Sequence, residues 1–286
     1  MESANIYVGV TPPEGEEWEQ DPDVLTTWFS SGQWPFLTLG YPDSKDYKTF
    51  YPTDVMETGW DILFFWVARM VMLGLYRTKK IPFKTVYLHG LVRDKDRQKM
   101  SKSKGNVIDP LGVAEQYGTD ALRMALVIGN LPGNDIIISE DKIRGYRNFA
   151  NKIWNASRFV LMHVGIAPVA SRITLNAKEK VMLKKLKMLS GEITKRMDAF
   201  QFHQAAYKLY HFFWHEYADK VIEEMKKNML SDDARTQQAA QEILLEYHST
   251  LLKLLHPFMP FITEEIWSLM PKKKKNLLMA EQWPDK

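Results

Sequence analysis

The stretch Thr53-Asp-Val-Met-Glu57-Thr58-Gly59-Trp60-Asp61-Ile62-Leu-Phe-Phe-Trp66, continued by Val67 to Tyr76 and then by Thr85-Val-Tyr-Leu-His89-Gly90-Leu91, decides the fold. Thr53 to Glu57 reads as a short strand, and Thr58-Gly59 as a turn. Trp60 to Tyr76 reads as a helix that is apolar almost all round, hence a buried one. Thr85 to Leu91 reads as the next strand. A strand, a crossover helix and a strand make a parallel βαβ unit. In such sheets ligands sit beyond the carboxyl ends of the strands, where Gly59 and residues 99–103 both fall.

Just past the second strand the chain reads Lys99-Met100-Ser101-Lys102-Ser103-Lys104-Gly105-Asn106. Two lysines three apart in a Ser/Gly loop can hold a polyphosphate while charge moves onto it. A solvated basic loop is the plain alternative. Asp109-Pro110 is a helix start, with an acceptor at the cap and proline at the first helical position. Asp120 to Ile128 is a further short helix, and Leu131-Pro-Gly-Asn134 is a break.

Beyond Gly145 the pattern is wholly helical. Helical spacing joins Phe149, Ile153, Ala156 and Val160, then Met182, Leu186, Leu189, Ile193 and Met197. It also joins Phe202, Ala206, Leu209 and Phe213, and finally Ile243, Tyr247, Leu251 and Leu254. Gly165 is expected to stop the first of these helices. Asn176 with Glu179 should cap the second as a capping box. His256 to Pro260 should end a long helix, with Thr263 capping the last. Short loops between such helices imply an antiparallel bundle. The fold class is therefore α/β followed by all-α, with a domain boundary near Arg144 and residues 1–20 as an extended arm.

Composition bounds the function. The chain has 286 residues, 45% of them hydrophobic, enough for a sizeable core. A net charge of +3 does not by itself announce nucleic-acid binding, so any such surface must be local. With no cysteine there is no disulfide framework, thiolate metal site or cysteine nucleophile. The most apolar stretch, Ile62 to Tyr76, is interrupted by Arg69 and falls short of the roughly 20 residues a membrane helix needs. A cytoplasmic protein without a membrane span is expected.

Three other clusters stand out. His211-Phe-Phe-Trp-His215 sets two histidines one helical turn apart, which suits a metal, but RNA contact or amphipathic packing is the better reading. Lys272 to Lys275 is a run of four lysines, favoured as a solvated loop over a phosphate contact. Arg144, Arg147, Asn151 and Arg158 recur near one helical face.

Taken together, Lys99–Ser103, Asp21-Pro-Asp-Val-Leu-Thr-Thr-Trp28, Thr58-Gly-Trp-Asp61-Ile62-Leu-Phe-Phe-Trp66, His89-Gly90, Asp120-Ala-Leu-Arg123 and Asn148-Phe-Ala-Asn-Lys-Ile-Trp-Asn155 resemble class I aminoacyl-tRNA synthetases. Within that class the resemblance is to the valyl-tRNA synthetase family and runs over essentially the whole chain. The Asp-Ile-Leu-Phe-Phe-Trp run separates it from the isoleucyl branch. The family's His-x-Gly-His motif has no counterpart here, and neither have its editing insert and its C-terminal coiled coil. The resemblance implies an internal fragment: the second half of a Rossmann-type catalytic domain over 1–144, with 107–144 as a stem-contact region, then a helical anticodon-binding domain over 145–286.

The same resemblance implies roles. Lys99 and Lys102 would be catalytic, neutralising charge on the departing pyrophosphate of ATP, whose Mg²⁺ comes with it. ATP would be held by Gly59, His89, Gly90, Lys99, Met100, Ser101, Lys102 and Ser103. Trp28, Asp61, Ile62 and Trp66 would take valine, Asp61 facing its ammonium. Arg144, Arg147 and Arg158 would touch valine tRNA. No protein-bound metal is implied, and a monomer is expected. For Asp61 the alternative is a helix-start acid, for the tryptophans an aromatic core, and for the glycines plain turns. The other functional readings are a tRNA-binding module without catalysis and a piece of an isoleucyl enzyme. As a fragment the chain should be inactive alone.

Overall fold

The structure is a computed structural model that describes residues 6–15, 18–100, 105–107, 109–164, 174–271 and 276–284. It divides into two compact units. The first takes residues 1–56 and 61–85, the second 57–60 and 86–286.

The first unit opens with three short helices, α1 (Thr27–Gly32), α2 (Trp34–Leu37) and α3 (Lys45–Phe50). Ser44 caps α3 by accepting the Asp46 N–H at 3.1 Å. Strand β1 spans Thr53–Gly59. A 3₁₀ turn (Trp60–Ile62) and a π-helical turn (Leu63–Val67) then lead into α4 (Ala68–Thr78). The single helix expected over Trp60 to Tyr76 is thus three pieces. Nor is it buried all round: Val67, Met70 and Gly74 are inside, whereas Phe64 and Tyr76 are each 76% exposed. The cause is coverage. Within this unit α1 and α2 pack on α4, and an apolar helix is dry only on faces that partners cover. The fit to α1 is close, since a Cβ on Gly32 would meet Leu73 Cδ1 at 2.8 Å.

Strand β2 (Phe83–His89) lies beside β1. Asp54 pairs with Lys84 at 2.8 Å and Glu57 with His89 at 3.2 Å, so partners advance together along both strands, as in a parallel ladder. In the second unit β3 (Val92–Arg93) is followed by α5 (Pro110–Tyr117), α6 (Thr119–Val127) and β4 (Ile136–Ile137). β3 and β4 pair in parallel, Val92 opposite Ile136. Asp109 caps α5 as its sequence requires, accepting the Leu111 and Gly112 N–H groups, both at 3.1 Å.

The rest is helical: α7 (Glu140–His163), α8 (Ala177–Asp198), α9 (Phe202–His211), a π-helical run (Phe212–Val221), α10 (Ile222–Met229), α11 (Ala234–Leu255) and α12 (Pro260–Leu269). Their shared core holds Phe149, Ile153, Val160, Ile193, Leu209, Phe213, Tyr247 and Leu251, the residues picked out by helical spacing. The capping box forms in both directions: Asn176 accepts the Glu179 N–H at 2.9 Å and Glu179 accepts the Asn176 N–H at 2.7 Å. Gly165 and Lys272 to Lys275 lie outside the described residues. Thr263 is not the cap of the last helix. Pro260 begins that helix, and the Thr263 hydroxyl donates back to Met259 O at 2.8 Å. Among the described residues no helix is long and apolar enough to cross a membrane.

Candidate functional site

The strand ends of the second unit converge on Asp135. Its carboxylate accepts the Leu91 N–H at 2.9 Å, the Arg93 guanidinium and the Trp60 indole N–H at 3.4 Å. The Leu91 amide first, and then Arg93, hold this carboxyl below the usual aspartate range. One acid thereby ties the residue after β1 to the residues that follow β2. Sequence reasoning missed Asp135, which follows the 131–134 break and belongs to no periodic pattern.

His89 and Gly90 stand at the end of β2. The His89 ring faces Glu57 on β1 through Nε2 at 3.2 Å, and its Nδ1 lies 2.8 Å from Gly90 O. Gly90 is buried, and a Cβ there would fall 1.6 Å from Asn134 O. Glycine is obligatory at this point because the chain's own 129–134 segment fills the side-chain space. Glu57 was not singled out in the sequence, because a strand's exposed acid carries no local signature.

The lysine loop has a built base. Arg93 and Lys99 form an antiparallel bridge, closed by the Asp94 N–H to Gln98 O bond at 3.1 Å. Arg97, at φ +62, turns the hairpin. Asn106 then crosses back, donating to Asp94 Oδ2 at 2.7 Å and to Lys99 O at 3.3 Å. Lys99 and Asn106, on either side of the loop, are therefore held together at a pinned stem. Ser101, Lys102, Ser103 and Lys104 lie outside the described residues.

Within the first unit, Trp28 on α1 meets Phe65 of the π turn with ring centroids 5.9 Å apart. The Trp66 indole donates to Ser31 O at 3.1 Å and its ring lies 6.5 Å from that of Trp34. Trp28, Ile62 and Trp66 are half-buried, and Asp61 is exposed on the 3₁₀ turn. The structure thus brings both tryptophans to the α1–π-turn packing. A π turn inside a helix is a feature often retained for a site.

On α7, Arg144, Arg147, Asn151 and Arg158 are all exposed. Arg144 pairs with Asp141. From Lys142 to His163 this helix has no acidic residue. The rings of His211 and His215 stack 5.5 Å apart on the outer side of the bundle. No group of three or more metal-ligating side chains occurs among the described residues.

Two family models match the chain. "tRNA synthetases class I (I, L, M and V)" covers residues 7–139, and "Anticodon-binding domain of tRNA ligase" covers residues 179–286. The chain belongs to the class I aminoacyl-tRNA synthetases. Its curated relatives include valine–tRNA ligases: it is 50% identical to that of Dehalococcoides mccartyi strain CBDB1 over 90% of this chain, and 47% to that of Geobacillus stearothermophilus over 99%. The chain spans 29% and 33% of the length of those two relatives, about a third. Among solved structures it resembles the Agrobacterium radiobacter K84 LeuRS in a ternary complex with tRNA and LeuAMS, with a TM-score of 0.73 and 22% identity over 93% of this chain and 33% of that one. It also resembles Mycobacterium tuberculosis methionyl-tRNA synthetase bound by methionyl-adenylate, with a TM-score of 0.65 and 23% identity over 80% of this chain and 46% of that one. At these identities the likeness establishes the fold alone: a parallel-sheet segment followed by a helical region.

Proposed function

We propose that the chain supplies the pyrophosphate side of the valine-activating site, together with the anticodon-reading bundle, of a valine–tRNA ligase. The observation that carries this reading is the pinned stem at Arg93–Lys99 and Asp94–Asn106. A lysine loop that holds a triphosphate needs a fixed base, and these contacts supply one.

In the reaction, a valine carboxylate oxygen attacks the α-phosphorus of ATP. The bond from that phosphorus to the bridging oxygen breaks, and pyrophosphate leaves with the electron pair. A ribose hydroxyl of the tRNA then attacks the valyl carbonyl, and AMP departs. Such chemistry is mostly positioning and charge stabilisation. Lys99 and Lys102 would carry the latter, while Met100, Ser101 and Ser103 shape the loop and Gly59, His89 and Gly90 meet the nucleotide. Asp61 would take the valine ammonium, and Trp28, Ile62 and Trp66 would wall its side chain. The half-buried state of those three supports the assignment. Mg²⁺ travels with ATP.

The absence of acids from Lys142 to His163 supports RNA contact by Arg147 and Arg158, and we read Arg144, which pairs with Asp141, as a further contact. We place the division of the protein near Arg144, with 107–144 as the stem-contact region, and read the protein as a cytoplasmic monomer. The test is titration of the chain with valine tRNA and isoleucine tRNA at two salt concentrations. A preference for valine tRNA is expected, and equal affinity would overturn the valine assignment. Valine-dependent ATP–pyrophosphate exchange should be absent from this chain alone; its presence would refute a shared site.

A further inference from the structure

Phe200 closes α8 with φ +56, in the left-handed region that favours glycine. The Gln201 N–H donates to Arg196 O at 2.8 Å and the Phe200 N–H to Met197 O at 3.0 Å. This is a Schellman closure, and its left-handed position is one that helices usually fill with glycine. A bulky residue persists there only when its surroundings hold it.

The surroundings are specific. The Phe200 ring lies 6.1 Å from Tyr87 and 5.9 Å from Phe202, and Tyr87 lies 5.4 Å from Phe202. Tyr87 belongs to β2, two residues before His89. One residue past Phe202, His203 Nδ1 accepts the Gly129 N–H at 3.0 Å. Gly129 opens the segment whose Asn134 carbonyl fills the space beside Gly90, and within it the Gly133 N–H donates to Leu88 O at 3.1 Å. The α8–α9 turn therefore reaches the end of β2 twice, once through rings and once through the 129–134 segment.

We propose that Phe200 is a positioning residue, whose ring clamps the carboxyl end of β2 to the α8–α9 turn and so sets where His89 and Gly90 stand. The clamp itself needs no ligand. Its consequence for nucleotide binding rests on the reading of His89 and Gly90 given above. An ordinary turn residue would lose nothing on becoming glycine, because glycine suits the left-handed backbone better. A clamp would lose its grip.

The experiment compares Phe200→Gly, Phe200→Asn and Phe200→Tyr in the whole chain. Glycine and asparagine both accept the backbone, and tyrosine retains the ring. Amide hydrogen exchange is read over residues 86–91 and over α11, alongside calorimetric titration with ATP and Mg²⁺. Exchange over 86–91 should rise about tenfold in the glycine and asparagine variants, as for two lost ring contacts. Tyrosine should restore it, α11 should stay protected, and ATP affinity should fall only where exchange rises. A glycine variant with wild-type exchange over 86–91 overturns the clamp, and so does one in which α11 loosens equally. Raised exchange with unchanged ATP affinity overturns the positioning role. Raised exchange where the wild type binds no ATP leaves the clamp standing and removes the nucleotide reading instead.

Discussion

Asp120 on α6 caps α12 from outside: its Oδ2 accepts the Ile262 N–H at 2.7 Å and its Oδ1 the Phe261 N–H at 3.2 Å. Arg123, one turn along, donates to Pro257 O at 3.0 Å. The Asp-Ala-Leu-Arg run is thus a two-ended clamp on the α11–α12 connection. Replacing Asp120 with alanine strands two helix-start amides and should cost about 1–2 kcal/mol, the range of a lost cap. Asparagine, with one acceptor oxygen, should cost less. Urea unfolding checks both, and an alanine variant as stable as wild type would remove the capping argument.

Gly90→Ala should be among the most damaging single-methyl changes in the chain. The new Cβ would meet backbone, Asn134 O at 1.6 Å, rather than a side chain that can swing away. The expected loss is about 3 kcal/mol or more, the upper range for overpacking. Chemical denaturation measures it; a loss under half that would mean the 129–134 segment yields easily.

Glu179 is buried, and Arg235 donates to its two oxygens at 2.8 and 2.5 Å. That hydrogen bonding, ahead of the Asn176 amide, holds the Glu179 carboxyl below its ordinary range. A depressed carboxyl contributes stability above its unfolded value, and that stability is lost as pH falls through the lower folded value. Arg235→Gln should therefore flatten the acid limb of the stability profile below the ordinary glutamate range. At neutral pH it should cost about 2 kcal/mol, under the value for a fully buried pair because Arg235 is partly exposed. Thermal melts from pH 3 to 7 would show it.

His248 is fully buried, its Nδ1 3.0 Å from the Tyr217 hydroxyl and its Nε2 without a partner among the described residues. Burial lowers its pKa to about 3. The unfolded chain takes up this proton near the ordinary histidine value and the native state refuses it. Stability present above about pH 6.5 should thus fall toward pH 3, by at most about 1.4 kcal/mol per unit. His248→Gln offers Tyr217 a neutral partner and should remove that slope. An unchanged slope assigns the proton elsewhere.

Arg147→Ala and Arg158→Ala should each weaken binding of valine tRNA and reduce its log–log salt slope by about one, the signature of one phosphate contact. Fold stability should not change, since both side chains are exposed. Unaltered slopes would move the RNA interface off α7.

How much of this was legible follows from how far each signal reaches along the chain. Asp109-Pro110 and the Asn176–Glu179 box declare helix starts through bonds spanning two or three residues, and the structure forms both. The bundle core was legible because a 3.6-residue period brings Ile243, Tyr247 and Leu251 to one face. The Thr263 cap failed because Asp120 supplies the acceptor from another helix. The buried Trp60–Tyr76 helix failed because coverage depends on partners, which composition cannot count.

By itself, then, the sequence determined the α/β-then-α order, the helix boundaries set by caps, and the lysine loop that gives the chain its family. All of these arise from neighbours within a turn or two, or from a motif read whole. Only the tertiary structure decided that Asp135 gathers the strand ends, that Gly90 is closed by Asn134, and that Phe200 leans on Tyr87. Those partners stand 42, 44 and 113 positions apart or more, as with Arg93 and Asp135, Gly90 and Asn134, and Tyr87 and Phe200. Folding alone brings such groups within bonding range, so no local pattern could have announced them.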